Sequence, residues 1–208
     1  LEMIDRHRIE REFQLAREIQ QTFLPNQLPE LKGWSLDVRW ETARQVGGDF
    51  YDCFLLSDKK LGLIIADVSD KGLAASLYMA VTRTLIRAVA LDNHHPADTL
   101  EQVNDLLLMN SESGLFVTIF YAAIELNSGE MDYTIAGHNP PYLLKTSEKD
   151  ILKFEIGGIA VGAMPDIQLP KRHTKIKPGD CLVLYTDGVT EAMNADKKMY
   201  GDHRLEKM

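Results

Sequence analysis

Residues 1–24 carry Ile9, Phe13, Ala16, Gln20 and Phe23 at spacings of 4, 3, 4 and 3, one stripe of a helix, with Arg and Glu on the other faces. No Gly or Pro interrupts the run before Pro25 ends it. Such a helix either packs on its own domain or connects it to an upstream module, pairs with a second copy and transmits a signal. Pro25 to Gly33 is a linker or turn. Beyond it the period shortens to two: Leu36, Val38 and Trp40 alternate with Ser35, Asp37 and Arg39, which predicts a strand over 34–40. Further strands are predicted over 50–56 and 61–66.

The helical period returns over 73–91, through Leu73, Leu77, Ala80, Val81, Leu85, Ala88 and Val89, with Ser69 or Asp70 as the expected cap. A second helix is expected from Pro96 to about Asn110. Strands follow over 115–126 and 131–136, joined by a hairpin turn at Asn127-Ser128-Gly129. The remaining strands are predicted over 142–144, 151–154, 167–176 and 181–185, with Gly157, Gly158 and Gly162 in a loop. Lys171, His173, Lys175 and Lys177 share one face, as on an edge strand guarded against aggregation or, less economically, a binding patch. Many strands, two adjacent helices and helical ends predict an α+β or α/β domain rich in sheet.

The 208 residues suit one domain with an appendage, here a helix over 1–24 and a domain over 25–208. The chain has 23 basic and 31 acidic residues, a net charge of −8 at pH 7, which argues against a general nucleic-acid binder. Apolar runs such as 61–66 are far short of the ~18 residues of a membrane span. Two cysteines make no disulfide framework, so a cytoplasmic setting is expected, with Cys53 and Cys181 as core thiols. The sequence starts at Leu1 and stops at Met208 in a charged stretch, and is read as part of a longer polypeptide.

Three acids stand at strand ends. Asp67 closes the run Leu63-Ile64-Ile65-Ala66, Asp187 follows Leu182-Val183-Leu184-Tyr185 by one residue, and Asp49 follows Gly47-Gly48. Any one of them could be a turn or cap residue. Together, converging carboxylates repel and call for a cation between them. Oxygen donors alone select hard ions such as Mg²⁺ or Mn²⁺, and no His or Cys pair has zinc spacing.

Four segments occur in order: Val46-Gly47-Gly48-Asp49-Phe50-Tyr51-Asp52, Ala66-Asp67-Val68-Ser69-Asp70-Lys71-Gly72, Ala136-Gly137-His138-Asn139-Pro140-Pro141, and Leu184-Tyr185-Thr186-Asp187-Gly188-Val189-Thr190-Glu191-Ala192. With the helix running from Ala16 to Pro25, and Phe116-Val117-Thr118 as a weaker motif, the chain resembles the PP2C-type (PPM) serine/threonine phosphatases, in the branch of RsbU and SpoIIE. The resemblance implies a PP2C-like antiparallel β-sandwich flanked by helices (αββα) with a two-metal Mn²⁺ or Mg²⁺ centre at one end. Asp67 would bridge both ions, the Val68 carbonyl assisting, Asp187 would bind one, and Asp49 would bind directly or through water. Gly48 and Gly188 would let backbone and ligand approach closely, and Arg44 would hold the phosphate. His138 reads as a general acid or as a hydrogen-bonded turn histidine, the second preferred. The chain departs from the pattern at Asp70, where many relatives have Gly. Relatives also continue past residue 205 into a helix, an Asp-Asp motif and a last strand, so weaker metal binding is expected of these residues alone.

The resemblance further implies a phosphorylated anti-sigma-factor antagonist (a STAS-domain protein) as substrate, an upstream sensory or receiver domain, and a homodimer through the first helix. Gly47-Gly48-Asp49-Phe50 spells the signature of diguanylate cyclases, but Phe50 stands where those enzymes carry a second acid. A cysteine phosphatase would need arginine six positions after its cysteine, where Lys59 and Asp187 stand. No Gly-x-Ser-x-Gly is present. The rival of a different class is a silent PP2C-like regulatory binding module.

Overall fold

The computed structural model describes residues 2–42, 45–92, 95–110 and 114–207, without the side chains of 2–6 and 110. Helix α1 (Glu2–Phe23) is followed by the hairpin of β1 (Phe50–Ser57) and β2 (Lys60–Val68), then by α2 (Leu73–Ala90) and α3 (Pro96–Asn110). The second hairpin is β3 (Val117–Glu125) and β4 (Glu130–Ala136). After it come β5 (Tyr142–Lys145), β6 (Asp150–Lys153), β7 (Arg172–Lys175), β8 (Cys181–Val183), and the single turns α4 (Asp187–Thr190) and α5 (Asp202–Leu205).

Two antiparallel sheets form, one of five strands in the order β1-β2-β3-β4-β7 and one of three in the order β6-β5-β8. Strand alternation decides what each face meets. Phe50, Ile64, Ala66, Val68, Ile119 and Tyr121 pack under α2 and α3, with Met79, Ile86, Leu100 and Val103. The intervening Cys53, Leu61, Phe120, Ala122 and Ile135 pack with Leu143 of β5 and with Phe154. The larger sheet is thus buried on both faces, which is why β3 is apolar almost throughout. Gly129 closes the β3–β4 hairpin at φ 74°, where a Cβ would stand 2.0 Å from the Ile176 carbonyl oxygen.

Four expectations from sequence are corrected. Residues 34–40 form no strand: Trp34 and Trp40 instead donate their indole N–H groups to the carbonyls of Leu126 and Asp49, at 2.9 and 3.0 Å. Pairing over 167–176 begins only at β7, because Pro170 has no N–H for a ladder and Leu169 N–H is bonded to Glu101. The cap position of α2 is Gly72, with no side-chain cap bond. Ser69 Oγ accepts from Phe116 N–H and Asp70, at φ 78°, accepts from Lys71 N–H. Cys53 is buried as expected, but Cys181 is exposed. The basic residues around β7 are ion-paired: Lys171 with Asp98, His173 with Glu130 and Asp132, Lys175 with Glu130, and Lys177 with Glu148. That is a charged sheet edge rather than an open binding patch.

Candidate metal centre

The ladder register builds the first half of the site. Phe50 pairs with Ala66. Continued one and two residues outward, the same antiparallel register sets Asp49 opposite Asp67 and Gly48 opposite Val68. Gly48 is required by that approach, since a Cβ there would stand 2.9 Å from the Val68 carbonyl oxygen and 3.0 Å from its Cβ. Because Phe50, Ala66 and Val68 face the helices, Asp67 projects from the other face, toward the second sheet. From that second sheet, β8 leads through Tyr185 and Thr186 to Asp187 at the start of α4.

The three aspartates act on one another. Burial pushes the Asp67 carboxyl up to about 8, helped by a hydrogen bond with the Asp49 carboxylate and by the charges of Asp49 and Asp187, while Lys71 pulls it down. Asp187 is raised by burial, then by Glu191 and Asp49, against Lys71 and the Gly188 N–H. Carboxylates held together in this way favour a cation between them. Among the described residues, no three His, Cys, Asp or Glu side chains stand close enough to enclose a metal ion. Asp49 and Asp67 are paired at one end of the sandwich, and Asp187 lies within reach of their charge without closing a three-acid set. The all-oxygen donor set and its surplus of negative charge fit a hard divalent ion.

Contacts that sequence did not signal hold this arrangement. Thr186 Oγ1 donates to Asp49 Oδ2 at 2.7 Å across 137 residues, tying the loop after β8 to the loop before β1. Thr118, paired with Asp67 in the ladder, has its Oγ1 2.9 Å from His138 Nδ1. His138 is 2% exposed, and its Nε2 makes no hydrogen bond. The ring is enclosed in the turn beside Thr118. Gly188 is not crowded, as a Cβ there would meet only Thr186 Oγ1 at 3.7 Å. Arg44 lies outside the described residues. The open cleft lined by Tyr133, Phe154, Arg172 and His173 contains none of the three aspartates.

An antiparallel sandwich with helices on its larger sheet and aspartates at one end defines a PP2C-type phosphatase domain. Residues 57–208 match the family described as "Stage II sporulation protein E (SpoIIE)", and the chain belongs to that family. It is 36% identical over 222 residues to Protein IcfG of Synechocystis sp., covering 93% of this chain and 35% of that protein. It is 28% identical over 183 residues to phosphoserine phosphatase RsbU of Bacillus subtilis, covering 88% of this chain and 54% of that one. The chain thus spans about a third to a half of these relatives. The SiaA-PP2C domain of Pseudomonas aeruginosa superposes with a TM-score of 0.80 at 17% identity, over 98% of this chain and 82% of that domain, which shows a common fold.

Proposed function

We propose that the chain is the catalytic domain of a metal-dependent phosphatase that hydrolyses phosphoserine and phosphothreonine in proteins. The observation that carries this reading is the pairing of Asp49 with Asp67 at the open end of β1 and β2, with Asp187 brought beside them from the second sheet. Asp49, Asp67, the Val68 carbonyl and Asp187 would hold Mn²⁺ or Mg²⁺. Such ions, when bound, supply a water acidified toward neutrality and a clamp for the phosphoryl oxygens. The chain's own part is to present the carboxylates together. Gly48 permits the approach to Val68, Thr186 orients Asp49, and Lys71 places positive charge near Asp67 and Asp187. Arg44 is assigned to the phosphate by its place five residues before Asp49.

Kinship with RsbU supports a phosphorylated anti-sigma-factor antagonist of the STAS class as substrate, in the cytoplasm. The exposed Leu15 and Ile19 on α1 support pairing with a second copy and coupling to an upstream sensory or receiver domain. The test is phosphate release from a phosphoserine-bearing STAS protein by the whole natural polypeptide. Release with Mn²⁺, abolished by chelator and by Asp67→Asn, is the expected result. Binding of the phosphoprotein with no turnover above the Asp67→Asn background would establish the silent regulatory module instead.

A further inference from the structure

One polar residue interrupts the apolar stripe by which α1 docks. Phe13, Ala16 and Phe23 are half-buried there, yet Gln20, between them, is 4% exposed. Its Nε2 donates to the Gly47 carbonyl at 2.5 Å and its Oε1 accepts from the Gly47 N–H at 3.2 Å. A primary amide is a side chain that can serve both backbone groups of one residue at once, as a neighbouring strand would. Gly47 needs such a partner. It lies three residues before β1 begins, beyond the last rung of the β1–β2 ladder, with Val46 and Gly48 buried on either side. The next residue, Gly48, rests on the Val68 carbonyl, and the one after it is Asp49.

We infer that Gln20 is a positioning residue for the metal centre. By fixing both polar groups of Gly47 it sets the path of Gly47-Gly48-Asp49, so that the Asp49 carboxylate faces Asp67. Helix α1 is therefore a working part of the catalytic unit, not only a connector to it. The inference rests on the phosphatase reading above. A purely structural Gln20 would dock α1 and leave the Asp49 loop unaffected, and the two roles separate experimentally.

The experiment compares the whole natural polypeptide with its Gln20→Met variant, which keeps side-chain length and apolar packing but leaves both Gly47 groups unbonded. Mn²⁺ affinity is read by electron paramagnetic resonance titration well below either protein's unfolding temperature. Amide hydrogen exchange at residues 47–49 and kcat and KM at limiting and saturating Mn²⁺ are read alongside. Loss of bonds to two half-buried backbone groups should weaken Mn²⁺ binding roughly tenfold. It should also speed exchange at Gly47 and lower activity chiefly at limiting Mn²⁺. A Gln20→Met protein with a lower melting temperature but wild-type Mn²⁺ affinity would overturn the inference. Should the variant fail to fold, the wild-type Gly47 amide decides: slow exchange supports the assignment and free-loop exchange refutes it. Failure of the underlying reading looks different, since the wild type itself would then bind no Mn²⁺.

Discussion

Thr186 and His138 carry the sharpest predictions at the scale of single residues. The Thr186 hydroxyl is bonded to one oxygen of Asp49, so it restrains the carboxylate without consuming it. Thr186→Val removes that charge-assisted bond and should weaken Mn²⁺ binding by about 10-fold or more. Thr186→Ser should keep the wild-type affinity, and calorimetric titration with Mn²⁺ of both variants checks the pair. His138 bears on pH. Burial holds its imidazole down, to about 4, against smaller upward pulls from the Tyr185 backbone, Asp49 and the Thr118 backbone. Between pH 6.5 and 4 the unfolded chain takes up a proton that the folded chain refuses. The stability contribution is thus full above 6.5 and falls with pH through that window, by about 3 kcal/mol at its foot. In metal-free protein, urea unfolding of wild type and His138→Gln should converge as pH falls from 6.5 to 4. Parallel curves would remove His138 from the account. Neither role was legible in the sequence beyond a preference for a turn histidine. The bond of Thr186 to Asp49 spans 137 residues, and only the folded topology brings them together.

Between elements, a buried polar tie joins β1 to α2. Asp52 is fully buried, and Arg87 bonds it twice, at 2.6 and 2.7 Å, while its guanidinium lies 4.8 Å from the Phe54 ring centroid. Arg83 Nε stands 3.0 Å from the same carboxylate, but off the direction of a hydrogen bond. Alternation along β1 puts Asp52 on the face of Phe50, beneath the helix. Removing one member strands the rest of the cluster, so Asp52→Ala should cost about 3–5 kcal/mol in a denaturant titration. The hairpins were legible because short turns fix the pairing of neighbours, as Asn127-Ser128-Gly129 does for β3 and β4. The stretch 34–40 misled because alternation describes a half-buried surface and does not supply a strand to pair with. There the two tryptophans are held by indole hydrogen bonds instead. The cap of α2 misled because Ser69 and Asp70, each able to cap, spend their oxygens on Phe116 and Lys71.

For the whole molecule, the site exists only where two sheets meet. Asp49 and Asp67 come from the larger sheet and Asp187 from the smaller, so their convergence measures whether the sandwich is correctly assembled. The sequence showed which acids end strands, and the order of four segments showed that they belong together. It did not show that Asp67 is set against Asp49 and buried there, because that follows from register and packing. Asp187→Asn should therefore lower phosphatase activity mainly by weakening metal binding, and excess Mn²⁺ should restore part of it. An Asp187→Asn enzyme whose Mn²⁺ requirement equals that of the wild type would take Asp187 out of the metal site. The acidic balance of the chain, −8 overall, sets the background against which a cation is drawn to this end.

Anomalous diffraction from crystals of the whole polypeptide grown with Mn²⁺ tests the central claim most directly. The expected result is a manganese peak flanked by the carboxylates of Asp49, Asp67 and Asp187, at about 2.0–2.6 Å from the nearest oxygens. Manganese bound elsewhere, with those three side chains turned away from one another, would contradict it.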